Sequence, residues 1–524
     1  MHFRRSISVI GLLFTSLSCM IGSGWLFGAY YASRIAGPAA IISWGLAGFI
    51  IMFIAISFAE LSSSLPVAGG ISRFAQFSHG TLVSFCMSWL AWLSCVSVAP
   101  TEVQAILQYS TPYFPWLTEN ADGVHLLTVP GFGVASLLLL LLAGVNMITI
   151  QILTRYNTLI TVWKLVVPIL CAFVLLSHVK FDTHNFTAYG GFAPTGWHGI
   201  LWALPTAGII FSFLGFREAT SLAEEAQNPQ VAIPIAVVGS VLICILLYEL
   251  IQVAFISGLK PSMLSHGWQH ISFTGDAGPF AGLASALGLG WLVILIYSDS
   301  LISPLGTGLV YSATTARLNY AMSKNKYIPA IMLKLNKRGL PIHAIFFNFI
   351  IGLFLFMPLK GWQALVAFQS TAIVLAYVIG AVSLLALREQ MPFLHRPFKL
   401  PYKKLVSFIT FNVCTLMAYW SGWEIIWHLM LSLLFGIIIL FAYRLFKEKS
   451  HSDLNIKSSL WLIPYFLGLS LISYLGAFGG GINVIPFGWD FLVIAIFSGI
   501  VLTLSYYLRL DKESVRKQIP VEFL

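Results

Sequence analysis

Five ionisable side chains interrupt long apolar stretches of the sequence and are the first candidates for chemistry. They are Glu102, Lys164, Arg217, Glu249 and Asp299. A charge near the centre of a bilayer costs at least about 2.5–3.5 kcal/mol, so each of them is a functional candidate. Lysine changes its protonation state readily when it is buried, which suits proton transfer. Arginine stays charged and can hold a carboxylate through two hydrogen bonds. The set therefore indicates proton transfer and anion binding inside a membrane.

Two apolar runs contain glycine-rich breaks that a continuous transmembrane helix does not need. Ile21-Gly22-Ser23-Gly24-Trp25 interrupts the run from Ile7 to Tyr31, and the stretch from Ser212 to Glu218 interrupts the run from Gly199 to Ala223. Backbone groups released from a helix in hydrocarbon cost several kcal/mol each unless protein, water or a ligand satisfies them. Paired breaks are typical of a transporter's substrate site. The alternative is close helix contact, which small residues also permit.

The composition predicts an all-α polytopic membrane protein. Of 524 residues, 58% are hydrophobic and 9% are charged, and the mean hydropathy is +0.87. Apolar runs of about 20 residues recur along the chain, each long enough to span a bilayer. We predict fourteen spans near residues 7–31, 39–64, 81–109, 131–152, 156–177, 199–223, 233–257, 280–311, 342–358, 363–387, 405–422, 425–445, 459–478 and 489–508.

The distribution of Lys and Arg predicts the orientation. With the N-terminus in the cytoplasm, the inside segments hold 23 basic residues and the outside loops hold four. This asymmetry places both termini in the cytoplasm of a protein of the inner or plasma membrane. It also explains the net charge of +10 without nucleic-acid binding. The first run lacks the cleavage site of a signal peptide and is expected to remain as a helix.

The two breaks also suggest an internal repeat. If spans one to five and six to ten form two units of opposite topology, Gly24 and Gly215 occupy matching points. The repeats then cover residues 7–177 and 199–387 within a transporter core of residues 1–400. Residues 401–524 become accessory transmembrane helices and a short cytoplasmic tail.

Several motifs together resemble the amino acid–polyamine–organocation permeases. These are Ile21-Gly22-Ser23-Gly24, Ala59-Glu60-Leu61, Pro66-Val67-Ala68-Gly69-Gly70, Phe213-Leu214-Gly215-Phe216 and Ala223-Glu224-Glu225-Ala226-Gln227-Asn228-Pro229. The first span and the stretch from Ser303 to Gly308 look closest to bacterial acidic amino acid:proton symporters. The resemblance implies a LeuT-like 5+5 inverted-repeat fold and alternating access. Most members have twelve spans, so fourteen is a departure.

The resemblance also implies where the substrate binds. Backbone groups of the first span, at Ile21, Gly22, Ser23 and Gly24, would face backbone groups of the sixth, at Phe211, Ser212, Phe213, Leu214 and Gly215. A helix N-terminus suits a carboxylate, and freed carbonyls suit an ammonium group. Phe211, Phe213 or Phe216 can close over a ligand, or serve as ordinary core aromatics.

Proton coupling is implied at Lys164, which matches a fifth-span lysine of proton-coupled members. Its amine should lie against the first break, with Asp299 and Ser303 of the eighth span as hydrogen-bond acceptors; the alternative is snorkelling to the membrane surface. Glu102 is expected to line the pathway, and Glu218 joins it there or acts at a gate. Glu249 is expected to be structural.

Arg217 stands where many relatives have an acidic residue. An arginine in the site can bind a second carboxylate, which favours an aspartate or glutamate substrate. The alternative is an internal pair of Arg217 with Glu218 or Glu102 that serves folding only.

The expected function is proton-coupled uptake of an amino acid, with an acidic side chain favoured. The alternatives are amino acid/amine exchange and polyamine transport. A channel is disfavoured because the sequence shows no repeated filter sequences. A membrane enzyme is disfavoured because the twelve histidines and six cysteines show no metal-ligand spacing. We expect no catalytic residue, cofactor or metal; the partners are an amino acid, protons and the lipid bilayer, and an oligomer is left open.

Overall fold

A computed structural model describes residues 5, 7–67, 69–121, 124–148, 150–178, 184–273, 278–336, 338–447 and 454–519. Its first eleven helices are α1 (Val9–Met20), α2 (Gly24–Ala36), α3 (Ala40–Ser64), α4 (Gly70–His79), α5 (Thr81–Ser110), α6 (Val129–Ile148), α7 (Ile150–His178), α8 (His184–Thr187), α9 (Gly196–Thr206), α10 (Ile209–Phe213) and α11 (Arg217–Ser221). The other eleven are α12 (Pro229–Gly258), α13 (Pro279–Ala286), α14 (Gly290–Lys324), α15 (Ile342–Leu355), α16 (Gly361–Gln390), α17 (Lys403–Trp420), α18 (Trp423–Lys447), α19 (Ile456–Ser459), α20 (Leu462–Leu475), α21 (Trp489–Leu508) and α22 (Lys512–Gln518).

The predicted class, an all-α polytopic membrane protein, is confirmed. Within the described residues, ten helices are long and apolar enough to cross a membrane, or eleven if one bent pair counts as a span. Each of the fourteen predicted spans contains at least one helix. Two spans differ in detail. The predicted span 280–311 is divided between α13 and α14, and α14 continues to Lys324. The predicted span 459–478 corresponds to α20, with α19 just before it.

Helices at matching positions of the two expected repeats pack against each other. α3 packs on α12, α5 on α14, and α6 on α15, while α1 packs on the second broken segment. Contact in four of the five equivalent positions agrees with two repeats related by an axis in the membrane plane. α17 packs on α16 and connects the C-terminal helices to the core. These contacts hold the two breaks together near the centre of the bundle.

The first break lies where the sequence predicts it. α1 ends at Met20, Ile21 is extended (φ −95°, ψ 92°), and α2 begins at Gly24. The second helix differs from the prediction, because its sharp bend of 53° separates α9 from α10 at Ala207-Gly208. Gly208 has a φ of +86°, a conformation that favours glycine and that commonly ends a helix. The expected break at Gly215 is present only as a 3₁₀ turn over Leu214–Phe216.

A β-hairpin that the sequence did not suggest follows α5. Strands β1 (Thr118–Ala121) and β2 (Val124–Leu127) pair antiparallel. Gln104 of α5 donates a hydrogen bond to the carbonyl oxygen of His125 at 2.9 Å. A Cβ at Gly361 would lie 2.7 Å from Val124, so the hairpin packs closely on the start of α16. It thereby positions the next residue of α16, Trp362, which reaches both breaks.

Candidate functional site

Lys164 lies against the carbonyl end of α1. The side chain is buried, and Nζ donates to the carbonyl oxygen of Ser18 at 2.8 Å and to Oγ1 of Thr307 at 2.7 Å. Oγ1 of Thr307 is also within 3.2–3.3 Å of the carbonyl oxygens of Ser18 and Ile21. The carbonyl end of a helix carries partial negative charge, so it stabilises the ammonium group. The amine thus connects α7 and α14 to the first break.

Asp299 and Ser303 lie on the expected helix but do not bond to Lys164. The carboxylate of Asp299 accepts hydrogen bonds from the indole N–H groups of Trp25 at 2.9 Å and Trp163 at 2.7 Å, and from Oγ of Ser303 at 2.6 Å. Asp299 precedes Thr307 by about two helical turns, which is roughly 12 Å along α14. Lys164 therefore bonds to Thr307 rather than to the expected Asp299 and Ser303. Asp299 instead links α2 to α7 and α14.

Glu102 reaches into the first break from α5. Its Oε2 accepts a hydrogen bond from the backbone N–H of Ser23 at 2.9 Å. Its Oε1 lies so close to Gly22 that a Cβ there would overlap it. The side chain is fully buried. Glu102, which was expected to line the pathway, therefore contacts the predicted substrate-binding backbone directly.

Tyrosine hydroxyls satisfy carbonyl groups of both broken segments. Tyr248 on α12 donates to the carbonyl oxygen of Met20 at 2.8 Å or to that of Ser212 at 3.3 Å, so one side chain joins the two breaks. Tyr377 on α16 donates to the carbonyl oxygen of Leu214 at 3.3 Å. Carbonyl groups freed near mid-membrane thus have protein partners, as hydrocarbon surroundings require.

The two glycines that suggested the repeat lie where the broken segments contact each other. A Cβ at Gly24 would overlap Oγ of Ser212. A Cβ at Gly215 would lie 2.5 Å from the backbone nitrogen of Met20 and 2.6 Å from the carbonyl carbon of Cys19. Close helix contact, the alternative reading of these glycines, is therefore present. At Gly24 the contact coincides with the first break, whereas Gly215 makes a contact that lies away from the bend at Gly208.

The predicted aromatic residues divide into one that faces the site and two that fill the core. Phe211 makes an edge contact with Trp362 at a ring separation of 6.1 Å. Phe213 packs on Tyr248, and Phe216 packs on Tyr377. Of the three, Phe211 lies against Trp362 and near Gly24, where a Cβ would be 3.5 Å from its Cδ1.

Trp362 is the residue that contacts both breaks from α16. Its indole N–H donates to Oγ of Ser23 at 2.9 Å. A Cβ at Gly208 would overlap its ring, so the indole fits into the bend of the second helix. The ring also stacks on Tyr31 with centroids 5.5 Å apart. Trp362 therefore closes one side of the site.

Arg217 is buried and contacts side chains from three helices. Its Nη2 is 2.6 Å from Sγ of Cys95, and its Nε is 3.3 Å from Oε1 of Glu218. The guanidinium carbon lies 5.6 Å from the ring centre of Tyr311. Neither Nε of Arg217 nor Oε2 of Glu218 has a hydrogen-bond partner in the described part of the chain. The internal pair named as the alternative is present, and both side chains retain unused hydrogen-bonding capacity.

Glu249 lies apart from these residues. It is half-buried on α12, and a Cβ at Gly45 of α3 would lie 2.9 Å from its Oε1. The expectation that Glu249 is not a site residue agrees with this position.

Four residues of the site escaped the sequence analysis: Thr307, Tyr248, Tyr377 and Trp362. Each is a polar or amphipathic side chain within an apolar helix, but such residues are common in membrane helices and carry no charge to mark them. Thr307 falls inside the Ser303–Gly308 stretch that drew attention for its resemblance, and Tyr248 precedes Glu249. The Ser303–Gly308 stretch and Glu249 are thus the sequence features that could have pointed to Thr307 and Tyr248.

Comparison with known proteins adds an independent finding. The family described as amino acid permease matches residues 7–441. The chain is 40% identical to the glutamate/serine transporter AimA of Bacillus subtilis (strain 168), over 95% of this chain and 92% of that protein. It is 34% identical to the aspartate-proton symporter of the same organism, over 98% of both chains. It is 26% identical to the branched-chain amino acid permease BcaP, over 86% and 95% respectively.

Proposed function

The chain belongs to the amino acid permease family, and from this membership and the site geometry we propose that it is a secondary active transporter that takes up an amino acid together with protons. The two relatives reported at 40% and 34% identity are named for glutamate, serine and aspartate, and one is named for protons. An acidic amino acid is therefore the first substrate to test. No catalytic role is proposed, because the relatives are transporters.

The observation that carries the proton-coupling proposal is the position of the Lys164 amine. It is hydrogen-bonded to the carbonyl end of α1 and to Thr307 of α14. Loss of a proton removes the positive charge that the carbonyl end attracts, and it also removes one N–H donor. The protonation state of Lys164 therefore changes how firmly α1 is held. Because α1 leads into the proposed substrate site, this contact can couple a proton to alternating access.

The broken helices supply the proposed binding groups for the substrate backbone. The start of α2 presents N–H groups and a positive dipole end to a carboxylate. The N–H of Gly22 has no hydrogen-bond partner in the described residues. The carbonyl groups near Ile21 and Ser212 would take the ammonium group after Thr307 or Tyr248 moves. Trp362 and Phe211 would close over the bound amino acid.

Arg217 is the proposed contact for an acidic side chain. Its guanidinium retains an unsatisfied N–H beside Glu218, so an incoming carboxylate can replace Glu218 as its partner. A neutral substrate such as serine leaves the Arg217–Glu218 pair in place. The same site can thus accept an acidic or a small neutral amino acid, with different partners for Arg217.

The protein is a multi-pass membrane protein, and we propose that both termini face the cytoplasm of a bacterial cell. We also propose residues 1–400 as the transporter core and residues 401–524 as accessory helices that pack on it. The lipid bilayer is then its permanent environment. Labelling of single cysteines placed in the loops on each side would test the orientation.

Uptake of labelled amino acids into proteoliposomes tests the function. An inward proton gradient should drive accumulation of aspartate or glutamate in the absence of internal substrate. Accumulation that requires internal amino acid or amine would indicate exchange instead. Failure of every amino acid in a panel to enter would contradict the proposal.

A further inference from the structure

The N-terminus of α2 already holds a carboxylate, and it belongs to the protein. Ser23 donates its backbone N–H to Oε2 of Glu102 at 2.9 Å. The other carboxylate oxygen, Oε1, has no hydrogen-bond partner in the described residues and lies against Gly22. Glu102 comes from α5 and is fully buried. A buried carboxylate thus points into the first break, and only one of its two oxygens accepts a hydrogen bond in the described residues.

The surroundings of Glu102 do not provide the usual compensation for a buried acid. The described residues contain no side-chain cation within 4 Å of it. The nearby ammonium group of Lys164 is bonded to Ser18 and Thr307 instead. A buried carboxylate without a close cation depends on hydrogen bonds and helix dipoles. For Glu102 these come from the start of α2, which is the group assigned above to the substrate's carboxylate.

We propose that Glu102 occupies the α-carboxylate position of the substrate site until an amino acid displaces it. The inference rests on the proposed function, because it assumes that a substrate carboxylate binds at the start of α2. In the substrate-free protein the glutamate satisfies the N–H of Ser23 and keeps the broken helix closed. An entering amino acid places its own carboxylate on the same N–H, and Glu102 withdraws along α5.

Displacement has a consequence for protons. Two carboxylates in one buried site repel each other, and one of them is protonated as a result. A proton from solvent forms an O–H bond on Glu102, while the substrate carboxylate keeps the negative charge at α2. The titratable groups of the described residues that face Glu102 are Lys164 from α7 and Tyr248 from α12. Substrate binding and proton uptake are then parts of one exchange of carboxylates.

The same exchange selects for amino acids over amines. An amine without a carboxylate offers nothing to replace Glu102 on the N–H of Ser23. Binding it would leave that donor unsatisfied or would leave Glu102 in the way. Polyamines and decarboxylated amino acids are therefore expected to bind poorly, which separates this site from that of an amine exchanger.

Equilibrium binding of labelled glutamate to the purified full-length protein tests the inference. Glu102→Gln removes the charged competitor, so it should bind glutamate about tenfold more tightly than the wild type. The wild-type Kd should rise with increasing pH, because binding takes up a proton, whereas the Kd of Glu102→Gln should not. An indicator dye in weakly buffered detergent should show proton uptake on glutamate addition for the wild type alone.

Glu249→Gln is the matched control, because it removes another intramembrane glutamate that lies outside the site. It should keep the wild-type Kd and proton uptake. If Glu102→Gln does not fold, Glu102→Asp keeps the charge on a shorter side chain and should bind glutamate more tightly with proton uptake retained. Wild-type affinity and proton uptake in a folded Glu102→Gln protein, or wild-type affinity in a folded Glu102→Asp protein, would overturn the inference and leave the proposed function intact. Absence of amino acid binding by the wild type would instead contradict the proposed function.

Discussion

Replacing Arg217 and Glu218 together by glutamine should weaken the binding of acidic substrates far more than the binding of serine. The two side chains are buried and lie 3.3 Å apart. Removing one partner of a buried ion pair leaves an uncompensated charge and costs about 3–5 kcal/mol. A single Arg217→Gln change therefore mixes a loss of stability with any loss of recognition. The double change removes both charges and isolates recognition.

The size of the effect follows from the hydrogen bonds that Arg217 can offer. A hydrogen bond to a charged group contributes about 1.5–3 kcal/mol. Each 1.4 kcal/mol is tenfold in affinity, so the KM for glutamate or aspartate should rise by about 10-fold to 150-fold. Serine has no second carboxylate to place beside Arg217, so its KM should change by less than about threefold.

Uptake kinetics in proteoliposomes measure both KM values on the same preparation. The control is Lys517→Gln with Glu513→Gln, which removes an exposed pair 3.0 Å apart on α22. This control should change neither KM. An equal rise in KM for glutamate and serine in the Arg217 and Glu218 variant would refute the reasoning. It would show that the pair supports the fold and does not bind the side chain of the substrate.

Four further predictions concern single residues. Lys164→Ala should abolish accumulation driven by a proton gradient while exchange continues; accumulation by this variant would assign the coupling proton elsewhere. Gly24→Leu should abolish binding in a protein that remains monodisperse in detergent, because its side chain enters the contact between the broken segments; normal affinity would move the site. Trp362→Phe should lose the hydrogen bond to Ser23, which is worth about 1 kcal/mol, and the Kd for substrate should change by about fivefold. If the same change in Kd appears when Trp362→Phe is made on a Ser23→Ala background, that bond is excluded as its cause. Burial lowers the pKa of His79 from 6.5 to about 4. The unfolded chain therefore binds a proton that the folded protein excludes, and thermal stability should fall as pH drops from about 6.5 towards 4, an effect that His79→Gln should reduce; an identical pH dependence in the variant would exclude this cause.

Local sequence features were enough to place the first break and the buried lysine. Glycines at 22 and 24 weaken a helix wherever it packs, and Lys164 is conspicuous because every neighbour in its span is apolar or uncharged. Both signals are properties of a single segment. They do not depend on how the remaining helices pack. The structure places the first break and Lys164 at the centre of the bundle.

The predicted position of the bend in the second helix is wrong because two glycines in that helix, Gly208 and Gly215, could each allow a bend. Gly208 follows Pro205, which interrupts the hydrogen bonding of a helix, and adopts a positive φ. Gly215 lies within a motif shared with relatives and drew the prediction. The structure uses Gly208 for the bend and Gly215 for close contact with α1. A bend and a contact look alike in sequence, since both favour glycine.

Partners across helices were the least predictable part of the site. Asp299 and Thr307 both lie on α14, and only the packing of α14 against α7 decides which of them reaches Lys164. The contact of Trp362 with Ser23 likewise depends on how α16 meets α2. Such pairings follow from tertiary packing, on which the sequence pattern of one helix carries no information.

Glutamate uptake into proteoliposomes that contain no internal substrate tests the central claim most directly. With an inward proton gradient imposed, glutamate should accumulate above its external concentration, and collapse of the gradient with a protonophore should release it. Simple equilibration of glutamate that is unaffected by the gradient would contradict proton-coupled transport by this protein.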